Sequence, residues 1–276
     1  MFKKIVINLC DYAGTYTPKN EMIIHYHNST ANVKDMLPYA VAGEVWLGSE
    51  VCENLFLMYS AKQYQERIDC FFNMGIRVLL AIPELHETHF YKVMSVVNQL
   101  RNIEGFIVND IGTAMAVRRE YPDSQLVLGR SFDKTIREIR ISPGQICDKY
   151  NVEQTAIHKK ALDEIHLKLY KDLGVSAIIT DSVPFLKTEL VANEMQIYLE
   201  YPRVMLSQAA ICEFSGTKGN NPLHGCRFGC FQYSKRYSLS GNNLIKQGKI
   251  IYHKEERMIY QCVDCISGDI HLAYTV

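Results

Sequence analysis

The stretch IRVLLAIPELHETHFYKVMSVVNQLRNIEGFIVNDIGTAMAVRREYPDSQLVLGR, Ile76–Arg130, decides the fold. Three short apolar runs, Ile76–Ile82, Gly105–Asn109 and Gln125–Gly129, are separated by longer segments, Glu87–Ile103 and Gly112–Tyr121. Short runs of this kind read as strands buried on both faces, and the longer segments as helices. The pattern extends in both directions. Lys4–Leu9, Glu44–Gly48, Val175–Thr180 and Gln196–Glu200 are further strand candidates, and Ser60–Met74 and Ala156–Leu173 further helices. In the last helix Leu162, Ile165, Leu169 and Leu173 line one face, and Gly174 stands where a C-terminal cap belongs.

Strands alternating with helices imply a parallel sheet, and seven such strands favour closure over an open sheet. A doubly wound sheet is the alternative, but there is no G-x-G-x-x-G and no Walker loop to favour it. The expectation is an α/β fold: a TIM-barrel-like parallel barrel, complete or incomplete, with a C-terminal cysteine-rich loop and hairpin segment. Residues 1–211 form the barrel-like domain in this reading. Residues 212–276 form the cysteine-rich part, where helical periodicity stops and Lys249–Tyr260 reads as two short strands around a polar turn.

The 276 residues carry 30 basic and 30 acidic side chains, so the formal charge is zero. No basic stripe marks a nucleic-acid surface. Nine cysteines, an odd number, argue against a complete disulfide framework. The apolar run Ile5–Ile7 is too short for a signal-peptide core, and no long apolar run suggests a membrane span. A cytoplasmic location is expected, with thiols kept reduced and able to bind metal.

Cys212, Cys226 and Cys230 lie in CEFSGTKGNNPLHGCRFGC, a C-x13-C-x3-C arrangement. The turn-rich run Gly216–Pro222 lets three thiolates fold around one centre, and soft thiolates select zinc or iron–sulfur clusters. Polar residues also gather where strands end: Glu50, Glu84, Asp110, Arg130, Asp181 and Glu200. In a barrel these ends form the carboxyl face, where active sites are built. An acid at a strand end also serves to cap the helix that follows. Cys52 belongs to the same rim, and Cys212 follows the last of the seven strands.

Three stretches resemble the collagenase-like (U-32) peptidase family, particularly its iron–sulfur members of anaerobic ubiquinone hydroxylation. GEVWLGSEVC (Gly43–Cys52) is similar to a strand ending in Y-L-G-E-x-V-C. GFIVNDIG with LVLGR, between Gly105 and Arg130, is similar to the family's V-N-D-x-G and L-x-L-G-R pair. YPRVMLSQAAIC (Tyr201–Cys212) resembles the segment leading into its cysteine loop. The resemblance implies a barrel-like domain holding one 4Fe–4S cluster on Cys52, Cys212, Cys226 and Cys230. Other members take a ligand further downstream, which leaves Cys262 or Cys265 as alternatives to Cys52.

The resemblance further implies oxygen-independent hydroxylation, or a related redox modification, of a small molecule or peptide, with a heteromeric partner of the same family. Asp110, Glu84 and Arg130 would then face the cluster and bind the substrate or shuttle its protons. Two other readings compete. One is a zinc-bound structural or interaction module on Cys226, Cys230, Cys262 and Cys265. The other is a peptidase, for which the chain offers no recognisable Ser-His, Cys-His or H-E-x-x-H constellation.

Overall fold

A computed structural model describes residues 4–10, 16–18, 22–26, 29–32, 43–132, 164–181, 195–201, 203–209, 212, 226, 228, 230, 234–239, 242–254 and 270–275. The fold is α/β, with a parallel sheet curled into a barrel. Its strands are β1 (Lys4–Asn8), β5 (Glu44–Gly48), β6 (Arg77–Ile82), β7 (Gly105–Val108), β8 (Gln125–Leu128), β9 (Val175–Asp181), β10 (Gln196–Tyr201) and β15 (Ile270–Thr275). The hydrogen-bonded order β1-β15-β10-β9-β8-β7-β6-β5 returns to β1, where Val6, Ile7 and Asn8 pair with Glu44, Val45 and Trp46. All seven strands expected from the sequence are present within two residues at each end. The eighth, β15, was not expected. It fills the place between β1 and β10.

Helices α1 (Glu53–Phe56), α2 (Ala61–Asn73), α3 (Glu87–Val97), α4 (Ile111–Glu120) and α5 (Glu164–Asp172) connect the strands. α2 starts in a capping box, in which the Ser60 hydroxyl accepts the Gln63 N–H and the Gln63 side chain accepts the Ser60 N–H. α3 ends at Val97, short of the expected Ile103, because the chain must turn through Asn102 at φ 61° to start β7. Of the segment expected as helix from Ala156, residues 156–163 lie outside the described residues.

Side-chain alternation along the strands makes two cores. Val45, Leu47, Val78, Leu80, Phe106, Val108, Leu126 and Leu128 point outward under the helices. Val6, Trp46, Leu79, Ala81, Ile107, Val127, Ala177, Ile179 and Tyr198 fill the interior. A strand buried on both faces has to be apolar throughout, which is why these segments read as continuous runs. Gly48 is required at the end of β5: its φ is +106°, and a Cβ there would stand 2.3 Å from the Ala81 carbonyl oxygen.

Two smaller sheets accompany the barrel. β2 (Tyr16–Pro18), β3 (Met22–Tyr26) and β4 (Ser29–Asn32) form an antiparallel sheet between β1 and β5 in the chain, where no strand was expected. The second sheet has the order β11 (Arg203–Gln208), β14 (Ile250–Lys254), β13 (Asn242–Gln247), β12 (Lys235–Leu239). The first strand expected within Lys249–Tyr260 is β14. It pairs with β13 before it, across a tight turn at Gly248 (φ 58°). The second expected strand lies outside the described residues. The segments 1–211 and 212–276 interlock, since β11 pairs with β14 while β15 joins the barrel. No described helix is long and apolar enough to cross a membrane.

Candidate site at the carboxyl mouth of the barrel

The interior parity of β5, β9 and β10 leads to Glu50, Asp181 and Glu200, while Arg130 enters the mouth from the short 3-10 turn Arg130–Phe132 that follows β8. Glu50 follows β5, Arg130 follows β8, Asp181 ends β9 and Glu200 lies near the end of β10. Arg130 is the hub: its Nε stands 3.0 Å from Glu50 Oε2 and 3.0 Å from Glu200 Oε2, and its Nη1 3.4 Å from Asp181 Oδ1. All four side chains are buried, none more than 6% exposed. Burial disfavours the guanidinium charge, but Glu200, Glu50 and Asp181 together outweigh it and hold the Arg130 pKa well above its ordinary value. Arg130 is therefore a fixed cation that orients three carboxylates toward one point.

Asn109 completes this rim. Its amide donates to the Ile82 carbonyl (3.0 Å) and lies over Gly129, where a Cβ would come within 2.2 Å of Asn109 Oδ1. Gly129 is needed there for close approach rather than for backbone conformation.

Of the six strand-end polar residues, four converge and two do not. Asp110 caps α4: Oδ1 accepts the Thr113 N–H at 2.7 Å, while Oδ2 accepts the Thr113 hydroxyl at 2.7 Å and the Leu85 N–H at 3.2 Å. Glu84 is exposed. Arg130 alone of the three residues expected to handle substrate stands in the buried cluster.

The cysteines divide in a similar way. Cys52 and Cys230 are buried in one apolar cluster with Val51, Leu55, Met205, Ile250 and Tyr252, beside the mouth. The Cys52 N–H donates to Ser49 Oγ at 2.9 Å, which anchors it to the end of β5. Cys212 and Cys226 are half-buried. Among the described residues no three His, Cys, Asp or Glu side chains are grouped so as to hold a metal ion. Cys262 and Cys265 lie outside the described residues.

A second polar group escaped the sequence reading. Glu53 and Lys249, both buried, form an ion pair at 3.3 Å, and Glu53 Oε1 accepts the His86 N–H at 2.6 Å. His89 is buried close by, and its pKa is lowered by desolvation. Glu53 opposes that shift, and Lys92, His86 and Lys249 add to it. The available signal was Glu53 directly after the LGSEVC motif, and a lysine in a tight turn before the apolar pair Ile250-Ile251.

No family model, curated protein or solved structure matches the chain. The likeness to U-32 peptidases therefore rests on the motifs quoted above.

Proposed function

We propose that the chain is a 4Fe–4S protein resembling the U-32 peptidases, with a barrel of the TIM type. It would act in oxygen-independent hydroxylation, or a related redox modification, of a small molecule or peptide. The observation that carries this reading is the meeting of Cys52 and Cys230 in one buried cluster beside the Arg130 group. The donor set fits in kind, since Cys52, Cys212, Cys226 and Cys230 supply the four soft thiolates that such a cluster takes. When bound, the cluster supplies electron-transfer or Lewis-acid chemistry.

The protein's own part lies with the mouth residues. Arg130 fixes Glu50, Asp181 and Glu200, whose oxygens can accept and return a proton at a polar substrate. The apolar cluster around Cys52 and Cys230 keeps water from that side. Asp110 shapes the loop after β7 by capping α4. A related partner chain and a reducing, cytoplasmic setting belong to the same proposal.

Purification without oxygen, with iron and sulfide quantified, tests it. Wild-type protein should be brown and carry iron and sulfide in equal amounts. Cys52→Ala, Cys212→Ala, Cys226→Ala and Cys230→Ala should each lose most of the iron, while Cys262→Ala/Cys265→Ala keeps it. A colourless, iron-free wild type would overturn the reading. Iron lost only in the double variant would move the fourth ligand to the C-terminal segment.

A further inference from the structure

We infer that the buried pair Glu53–Lys249 is a positioning element that brings Cys230 to Cys52. Its functional meaning rests on the cluster reading above, and its structural meaning on geometry alone. Each cysteine is held by groups immediately next to one member of the pair. On the barrel side, Cys52 is anchored through Ser49 and accepts the Phe56 N–H at 3.0 Å, and Glu53 is the next residue. On the sheet side, Gln247 Nε2 donates to the Cys230 carbonyl at 3.2 Å. The backbone of Gly248 packs so closely that a Cβ there would lie 3.5 Å from Cys230 Cβ and 3.9 Å from its Sγ. Lys249 follows directly.

Both oxygens of Glu53 are used. Oε1 accepts the His86 N–H and ties the acid to the barrel, and Oε2 draws in Lys249 from the turn between β13 and β14. The surrounding apolar contacts of Val51, Leu55, Met205, Ile250 and Tyr252 attract the two parts but are non-directional. A buried ion pair is costly when misaligned, so it selects one docking register. Cys52 and Cys230 fall in one buried apolar cluster only in that register.

The test uses the full chain, reduced and stripped of metal, treated with a short thiol-to-thiol crosslinker, the Cys52–Cys230 link being read by peptide mapping. Iron uptake without oxygen is measured in parallel. The variants are Lys249→Met and Glu53→Gln/Lys249→Met, with Lys246→Met on β13 as the control. Wild type and the control should link efficiently, and both pair variants should link roughly fivefold less or worse, the factor that a loss of about 1 kcal/mol in docking corresponds to. Iron per chain should fall in step.

If Lys249→Met fails to fold by circular dichroism, the double variant decides, because it leaves no lone buried charge. Wild-type linking in the double variant overturns the inference, as does a wild type that does not link. Loss of fold in the double variant also overturns it, since the pair would then hold the barrel itself. Efficient linking in wild type without iron uptake leaves the positioning role standing and removes the cluster reading. Linking and iron uptake unchanged in every variant does the reverse.

Discussion

The two ends of the barrel each hold an arginine among carboxylates, yet in different ways. At the amino end Arg77 is 40% exposed, bonded to the exposed Glu104, 2.9 Å from Gln125 Oε1 and 3.4 Å from buried Glu44. Glu44 also accepts Trp46 Nε1–H at 3.0 Å, and Trp46 meets Tyr198 edge-on in the interior. This floor closes the barrel with water at hand to share its charges. At the carboxyl end Arg130 is enclosed, and its three acids have only the protein around them. Solvent screening makes the first group cheap to alter, and its lack makes the second expensive.

The comparison breaks most sharply at Arg130. Arg130→Met leaves three buried carboxylates without their cation, and should cost about 3–5 kcal/mol in denaturant unfolding, if the variant folds at all. A loss no larger than that at Arg77 would mean the mouth is wetter than its geometry indicates.

A pH series sharpens the contrast at the mouth. His89 has its pKa lowered in the folded protein, so between that value and the ordinary 6.5 the unfolded chain binds the extra proton. Stability tied to His89 is therefore complete above about pH 6.5 and falls as the pH drops through the window below it. His89→Phe should flatten that part of the stability profile. An unchanged slope would assign the acid sensitivity to other groups.

The smallest effect belongs to the floor. Arg77→Gln should cost no more than about 1 kcal/mol, because Arg77 and Glu104 are solvent-screened and buried Glu44 keeps its hydrogen bond from Trp46. A thermal melt displaced as far as that of Arg130→Met would erase the distinction between the two ends.

The barrel strands were legible because burial on both faces leaves an unbroken apolar run, as in Val78–Ile82 and Phe106–Val108. β15, IHLAYT, was hidden because the polar His271 interrupts its apolar run and the cysteines before it suggested an appendage. The mouth was half legible. Strand-end position identified Glu50, Arg130, Asp181 and Glu200, but could not tell them from Asp110, whose spacing to Thr113 is that of a helix cap. Glu53 and Lys249 were invisible because nothing local marks a charge whose partner is 196 residues away.

The place of β15 sets the order in which the molecule can be finished. Residues 270–275 lie between the first strand and β10, so the wall stays open by two strand spacings, about 10 Å, until that segment docks. During synthesis the chain from β1 to β14 emerges before the cylinder can shut. Glu200 on β10 then waits at an unfinished edge beside Arg130. The mouth is at its widest until β15 docks between β1 and β10.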